Sequence, residues 1–566
     1  MERKPLPIGV DIFEKLITRG YYYVDKTLMI KDIIDKKADV NLFTRPRRFG
    51  KTLNMTMLKY FFEDARKPDG TKIDYSHIFE GLNIMKEDSK YQAYMGQYPV
   101  INLSLKSAKQ PDFEMAYAAL REEIAYAYGD YSFLCESDCL NEKEKEKYKK
   151  IMWEKAERED YNTSLKFLSQ CMYKYFGKKA IILIDEYDVP LESAFARNFY
   201  QEMLDFIRAL FESGLKTNPY LEFSVITGCL RISKESIFIG MNNLKIMSIL
   251  TDDYDEYFGF TEEEVKEMCE YYSMPHKYPV IKKWYNGYVF GETNVYNPWS
   301  VIQFISDLRA NENRYPLSYW ANTSSNSIVR TLIERADQET KNEIETLIEG
   351  KTLIKPIHED ITYDEVYQSM DNLWNFMFFT GYFRKVRAWM DESTNDQHVE
   401  LAIPNEEVRY IFRNKVRNWF REKVEERDRT RLFDAIVNKD PEQFEAELAD
   451  MLMETISFND AYESFYHGFI LGILTGMDKY LIKSNREGGR GRSDIIVKSV
   501  TRRKPAYVIE FKIADKFNQL EKRAEDALLQ IEEKGYAREL QDDGYATVIK
   551  YGIAFMGKDC VVKMQE

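Results

Sequence analysis

The feature that most constrains the fold is a basic loop between a short apolar run and an amphipathic helix. Residues 38–44 lean apolar and predict a strand, and residues 52–62 place apolar side chains at helical spacing. The start of such a helix offers free N–H groups and a positive dipole end to an anion. Gly50 would let the backbone approach a phosphate, Lys51 would reach the β- and γ-phosphates, and the Thr52 hydroxyl would ligate Mg²⁺.

The loop departs from the usual phosphate-binding pattern at one position. The first glycine of G-x-x-x-x-G-K-[ST] would fall at position 45, where this chain has Arg45. Because G-K-T alone is common, a basic surface turn before a helix is an open alternative. The residues expected to surround the nucleotide in this loop are Arg45, Pro46, Arg47, Arg48, Phe49, Gly50, Lys51 and Thr52.

A second stretch, residues 179–188, is a continuous apolar run that ends in acidic residues. Such a run is typical of a parallel strand buried on both faces, and ligands bind at the carboxyl ends of these strands. Asp185 would hold Mg²⁺ through water as the partner of Thr52, and Glu186 could polarise the attacking water. A plain strand followed by an acidic turn is the alternative, but the two motifs together favour a P-loop NTPase that uses ATP and Mg²⁺.

The next predicted strand, residues 221–228, ends in Thr227 and a glycine. A polar residue on the strand beside the acidic one reads the γ-phosphate in many P-loop ATPases, and Thr227 fits this role. Arg231 could supply positive charge to the transition state, in cis or to a neighbouring subunit of a homo-oligomer. A salt bridge within the loop is an equally open interpretation of Arg231.

Near the C-terminus, two predicted strands carry a different set of charged residues. Glu510 and Lys512 are two residues apart on one strand and therefore point to the same face. Asp494 begins the paired strand and can reach that face. Asp494 and Glu510 would ligate Mg²⁺, the metal would activate a water, and Lys512 would position that water or stabilise the developing charge.

This arrangement is the one that phosphodiester hydrolysis needs. Glu463, on the preceding helix, could complete the metal shell through water. Since Glu-x-Lys alone arises often by chance, a strand hairpin with surface charges is the alternative. Gln530 and Lys534 lie one turn apart on a later helix and share a face.

The stretch from residue 483 to residue 512 is locally basic in an otherwise acidic chain. Such a patch is the expected footprint of phosphate contacts with a nucleic acid. Its basic residues are Lys483, Arg486, Arg490, Arg492, Lys498, Arg502, Arg503, Lys504 and Lys512. The formal net charge of −14 argues against a protein that binds nucleic acid over its whole surface, but it does not exclude binding by this local basic patch.

Several of these segments resemble the bacterial AAA-ATPase-like family, whose members often carry a C-terminal nuclease-like domain of the PD-(D/E)XK superfamily. The resemblance lies in residues 6–9, 23–27, 45–52 and 184–188 and covers nearly the whole chain. In that family the arginine-rich loop without a first glycine is the usual form. The superfamily often has a Gln or Lys that supports the site, which implies a catalytic role for Gln530.

The expected fold class is α/β, with four regions in the 566 residues. They are a P-loop domain with a parallel sheet and helices on both faces (1–255), a helical lid (256–340), a mainly helical connecting domain (341–455) and an α/β restriction-endonuclease-like domain (456–566). We expect no membrane partner and a cytoplasmic protein, because neither a signal peptide nor an apolar run of ~20 residues is found. The six cysteines are scattered, which argues against a zinc site.

The sequence thus predicts an ATP-hydrolysing protein coupled to a Mg²⁺-dependent nuclease-like domain that acts on nucleic acid, most naturally DNA. The alternative is an ATPase switch whose C-terminal domain binds nucleic acid or a protein without cleaving it.

Overall fold

The computed structural model describes residues 3–231, 237–238, 241–320, 327–359, 363–366, 368–392, 395–426, 428–453, 463–474, 477, 479–488 and 491–566. The chain forms two compact units, one made of residues 1–325 with 354–409 and the other of residues 326–353 with 410–566. The four-region division made from the sequence stays a prediction.

The helices of the described residues are mostly two to four turns long. They are α1 Phe13–Thr18, α2 Leu28–Lys36, α3 Lys51–Phe62, α4 Ser89–Gln92, α5 Phe113–Gly129, α6 Glu142–Met152, α7 Arg158–Asn162, α8 Ser164–Phe176, α9 Val189–Ala196, α10 Tyr200–Phe211, α11 Glu262–Tyr271, α12 Tyr278–Tyr285, α13 Pro298–Ala310, α14 Ser327–Arg335, α15 Gln338–Ile348, α16 Tyr363–Val366, α17 Met370–Phe379, α18 Glu406–Glu426, α19 Thr430–Asn438, α20 Pro441–Met453, α21 Glu463–Leu474, α22 Leu520–Lys534 and α23 Tyr536–Asp542.

The strands fall into separate sheets in the two units. They are β1 Val40–Thr44, β2 Val100–Ser104, β3 Ala180–Asp185, β4 Leu221–Gly228, β5 Leu244–Met247, β6 Tyr288–Phe290, β7 Thr293–Val295, β8 Leu353–Pro356, β9 Arg384–Met390, β10 Gln397–Ala402, β11 Tyr480–Gly488, β12 Gly491–Ser499, β13 Ala506–Ile513, β14 Val548–Met556 and β15 Asp559–Gln565.

The central sheet of the first unit is parallel throughout, in the order β2-β3-β4-β1-β5. Strands β1 and β3 are buried along their whole length, as the continuous apolar run of β3 predicts for a sheet covered on both faces. Their carboxyl ends, at Thr44 and Asp185, lie at the same edge with the end of β4 between them. The sheet thereby brings together residues that are far apart in the sequence.

Smaller elements complete the first unit. Strands β6 and β7 form a hairpin, and β8, β10 and β9 form a three-stranded sheet that the sequence pattern did not indicate. Helix α11 begins with the capping box that the spacing of Thr261 and Glu264 predicts, since each side chain bonds the other residue's N–H. Helices α11 to α13 share a core of their own, which includes Val265, Ile281 and Phe304.

The second unit contains a mixed sheet in the order β11-β12-β13-β14-β15, in which only β13 and β14 are parallel. Helices α19 to α21 cover one face of this sheet with apolar residues such as Phe444, Phe469 and Ile473. On the other face, Ala524 and Ile531 of α22 are fully buried.

None of the helices in the described part of the chain is both long enough and apolar enough to cross a membrane.

Candidate nucleotide and metal sites

The phosphate loop, residues 45–52, runs from the end of β1 into the first turn of α3. Gly50 has a φ of +83° and Arg48 a φ of +72°. A Cβ at position 50 would meet nothing within 4 Å, so glycine is needed there for its conformation and not for space. Helix α3 is entered directly from this turn, which leaves the first N–H groups of the helix available to an anion.

Lys51 is buried, and its ammonium group lies among the carbonyl oxygens of the loop. Its Nζ donates to the carbonyl oxygens of Arg45 (2.8 Å) and Pro46 (3.0 Å) and lies 3.6 Å from the Sγ of Cys229. The cation is therefore held inside the loop that would enclose the phosphates.

The other loop side chains fix the shape of the loop by packing. Phe49 is buried against Tyr288 and Phe290 of the β6–β7 hairpin, with ring centroids 4.9 and 5.1 Å away. Arg48 is exposed and lies over the ring of Trp299. The Arg47 guanidinium pairs with the Glu192 carboxylate. Pro46 is buried, and the Arg45 side chain has no exposed surface.

The end of β3 brings the predicted magnesium-binding residues together. The Thr52 hydroxyl donates to Oδ2 of Asp185 at 2.6 Å, and the Thr227 hydroxyl donates to Oδ1 of the same carboxylate. These residues are 133 and 42 positions from Asp185 in the sequence, and the parallel sheet places them at one edge. Their oxygen donors are of the kind that Mg²⁺ prefers, so the set fits a hydrated magnesium ion.

Glu186 follows directly and has a φ of +54°, a strained conformation for a residue other than glycine. Its N–H donates to the Thr227 hydroxyl (3.4 Å), and burial raises the pKa of its carboxyl, although the Lys51 cation opposes this rise. A raised pKa suits a group that accepts a proton during a reaction.

The residues after Glu186 hold the end of β4, a role that the sequence did not reveal. Oδ2 of the buried Asp188 accepts from the N–H groups of Cys229 (2.7 Å) and Leu230 (3.2 Å). The Tyr187 hydroxyl donates to the Leu230 carbonyl (2.7 Å). A Cβ on Gly228 would lie 2.4 Å from the Tyr187 ring, so only glycine allows this packing.

Arg231 is paired within the first unit. Its Nη1 lies 3.0 Å from Oε2 of Glu359, whose other oxygen accepts from the Ser248 hydroxyl at 2.8 Å. Arg231 thus forms a salt bridge, but its partner lies 128 positions further along the chain and not within the loop. A role of Arg231 towards nucleotide stays a prediction.

Asp25 and Lys26, in the segment 23–27 that carries part of the resemblance, contact protein groups. Asp25 accepts from the N–H and hydroxyl of Thr27 at the start of α2. The buried Lys26 Nζ lies 2.6 Å from the Glu264 carboxylate.

The second site, the carboxylate cluster, consists of Asp494, Glu510, Lys512 and Gln530 in the second unit. Strands β12 and β13 pair with Ile495 opposite Ile509, which puts Asp494 beside Glu510. The Asp494 N–H donates to Oε2 of Glu510 (3.3 Å), and Oδ2 of Asp494 accepts from the Phe511 N–H (2.9 Å).

Helix α22 brings the remaining predicted residue to this cluster. The Gln530 amide donates to Oε1 of the buried Glu510, and Lys512 Nζ lies 4.0 Å from the same oxygen. The close approach depends on Gly552, which pairs with Glu510 on the neighbouring strand. A Cβ there would lie 2.2 Å from the Ala524 carbonyl oxygen of α22.

Helix α21 carries His467 and the predicted metal-shell residue Glu463. The Nε2 of His467 donates to the Asp494 carbonyl (3.0 Å), so His467 helps to hold the strand that carries the aspartate. Glu463 begins the same helix, but its side chain lies outside the described residues.

The basic stretch 483–512 is partly balanced by acidic neighbours. Lys498 pairs with Asp543, while Arg502, Arg503 and Lys504 are exposed in the turn after β12. Arg490 and the side chains of Arg486 and Arg492 lie outside the described residues.

Among the residues and side chains that are described, no group of three or more His, Cys, Asp or Glu forms a ready metal cage. The first site offers the Asp185 carboxylate and two hydroxyls, and the second offers two carboxylates. These oxygen donors fit Mg²⁺, which prefers oxygen ligands and keeps several waters.

Comparison with known proteins matches two separate segments of the chain to families. Residues 7–238 match the family described as predicted AAA-ATPase, and residues 461–565 match the PD-(D/E)XK nuclease superfamily. Both resemblances seen in the sequence, and the predicted α/β fold class with P-loop and nuclease-like domains, are thereby confirmed.

A similar protein is "Uncharacterized protein in vnfD 5'region" of Azotobacter chroococcum mcd 1. It is 26% identical over 339 residues, which cover 59% of this chain and 57% of the relative. The chain thus spans little more than half the length of that protein.

Proposed function

We propose that this chain, which joins a predicted AAA-ATPase domain to a PD-(D/E)XK nuclease superfamily domain, hydrolyses ATP in its first unit and cleaves DNA in its second. One observation carries the proposal. In each unit, charged and polar side chains that are distant in sequence converge at one place on a sheet, in the arrangement that phosphate chemistry requires.

In the first unit, the phosphate loop and the start of α3 would bind the triphosphate. Lys51 would exchange the loop carbonyls for phosphate oxygens, and Thr52 with Asp185 would hold the hydrated magnesium ion. The ion would neutralise charge on the β- and γ-phosphates. Glu186 would orient and deprotonate the attacking water, and Thr227 would hold the Asp185 carboxylate in register with the γ-phosphate.

In the second unit, Asp494 and Glu510 would hold a magnesium ion against the scissile phosphate. This ion would supply Lewis-acid assistance to the attack of water. Gln530 orients the Glu510 carboxylate, and Lys512, next to it, would stabilise the negative charge that develops on the phosphate. The basic stretch 483–512 supports a nucleic acid as the substrate.

The test is cleavage of plasmid and single-stranded DNA with Mg²⁺, in the presence and absence of ATP. The unchanged chain is compared with Lys512→Ala and with Lys516→Ala, a matched control that removes an exposed lysine four residues further on. We expect cleavage by the unchanged chain and the control, loss in Lys512→Ala, and a change of rate on addition of ATP.

ATP turnover is measured on the same preparations with Lys51→Ala. Lys59→Ala is the control, because Lys59 lies on the same helix and away from the loop. Equal turnover in Lys51→Ala and in the unchanged chain would contradict the ATPase assignment. ATP turnover without cleavage of DNA or RNA would support the other function, an ATPase switch with a binding domain.

A further inference from the structure

The phosphate loop contains a buried arginine at the position where such loops ordinarily have their first glycine. Arg45 has no exposed surface, whereas Arg47 and Arg48 of the same loop reach the surface. A residue that served only as a flexible turn would need no side chain, and a residue that contacted phosphate would point out of the core. The Arg45 side chain does neither.

The Arg45 guanidinium contacts backbone carbonyls and aromatic rings in the interior of the first unit. Its Nη1 donates to the carbonyl oxygens of Thr44 (2.9 Å) and Met247 (2.8 Å), at the ends of β1 and β5. Its Cζ lies 5.3 Å from the ring of Phe258 and 5.1 Å from the ring of Phe290. The group is therefore fixed by hydrogen bonds to two neighbouring strands and by contacts with aromatic rings.

The backbone of Arg45 contacts the groups that would face the nucleotide. Its N–H donates to the carbonyl of Gly228 (3.0 Å), next to Thr227, and its own carbonyl accepts from Lys51 Nζ (2.8 Å). The same residue thus joins the end of β4, the lysine of the loop and the buried core. Movement of its side chain would shift all of these together.

We propose that Arg45 is a positioning residue for the triphosphate: its buried guanidinium sets the path of the loop and thereby the places of Lys51 and Thr227. This role rests on the proposed ATP site. This role explains why the loop has no glycine at its first position. The buried Arg45 side chain fixes the backbone by hydrogen bonds to the carbonyls of Thr44 and Met247, so the conformational freedom of glycine is not needed. Burial lowers the pKa of Arg45 to about 9, which still leaves the group charged at neutral pH.

The experiment compares Arg45→Gly and Arg45→Lys with the unchanged full-length chain. Arg45→Gly restores the usual glycine pattern, and Arg45→Lys keeps the charge but loses the planar fork that donates to two carbonyls. The control is Arg66→Lys. Arg66 also donates to a backbone carbonyl, that of Gly70 (3.3 Å), and lies 5.1 Å from the Phe176 ring, at a distance from the loop along the chain. It differs from Arg45 in being partly exposed and paired with Asp64 (3.0 Å). Far-UV circular dichroism and melting temperature report folding, while ATP Kd and the kcat and KM of ATP turnover report positioning.

We expect ATP Kd and KM to rise at least tenfold in Arg45→Gly and several-fold in Arg45→Lys, with no change of KM in Arg66→Lys. Should Arg45→Gly fail to fold, Arg45→Lys decides the question. A folded Arg45→Lys with unchanged Kd and KM would overturn the positioning role and leave the ATP site intact. Absence of ATP binding by the unchanged chain would instead overturn the proposed function and this inference with it.

Discussion

A buried carboxylate in the first unit makes stability depend on pH in a way that one substitution can isolate. Glu407 has no exposed surface, and its oxygens accept from the Ser300 hydroxyl (2.9 and 3.0 Å) and the Trp320 N–H (2.9 Å). These donors carry no charge, so burial dominates and raises the pKa of Glu407 from 4.5 to about 7.

The direction of the pH effect follows from this rise. Because the folded state holds the proton more tightly than the unfolded state, the contribution to stability is fully present below pH 4.5 and is lost as the pH rises through about 7. The difference between these pKa values corresponds to roughly 3 kcal/mol in all, and most of it is lost between pH 5 and pH 8.

Glu407→Gln keeps an oxygen acceptor and removes the titration. We expect the unfolding free energy of this variant, relative to the unchanged chain, to increase by roughly 2 to 3 kcal/mol from pH 5 to pH 8. Urea unfolding followed by tryptophan fluorescence at several pH values measures this difference, and other titrating groups cancel in it. The control is Glu406→Gln on the same helix, where the replaced carboxylate is only half-buried and pairs with Arg409. A difference between Glu407→Gln and the unchanged chain that stays constant from pH 5 to pH 8 would refute the reasoning.

Three other substitutions test individual contacts. Thr227→Val removes the hydroxyl but keeps nearly the same side-chain shape. It should lower ATP turnover at least tenfold in a steady-state assay and change the melting temperature little, and unchanged turnover would exclude the proposed role of Thr227. Gln530→Ala takes away the side-chain donor of Glu510 and should slow Mg²⁺-dependent plasmid cleavage about tenfold, so equal rates would argue against this support of the site. Lys26→Met leaves the partly buried Glu264 carboxylate without its cation. We expect the unfolding free energy, measured by urea titration, to fall by about 2 kcal/mol. A decrease below about 0.5 kcal/mol would show that solvent screens this ion pair.

Elements with a strong local pattern could be predicted from the sequence. The strand expected at residues 221–228 is observed as Leu221–Gly228, and the helix expected at residues 52–62 is observed as Lys51–Phe62. Continuous apolar runs, helical periodicity and glycine punctuation are local signals, and burial reinforces each of them in the fold.

Elements held by distant partners could not be predicted in this way. The sequence pattern does not predict the short strand β5, because four residues carry little periodic signal and the strand exists through its pairing with β1. The sheet formed by β8, β9 and β10 lies in a region interpreted as helical, and several side chains of β9 are exposed, which weakens the alternation that marks a strand.

The sequence by itself determined that the chain combines two α/β domains, and it indicated which residues to propose for phosphate and magnesium binding. Only the tertiary structure decided where each side chain points. Arg45 and Arg48 are the same residue type in one loop, yet one is buried between aromatic rings and the other is exposed. The reason is physical. Local spacing fixes which residues share a strand or helix, whereas the direction of an arginine depends on carbonyls and rings supplied by segments some two hundred residues away.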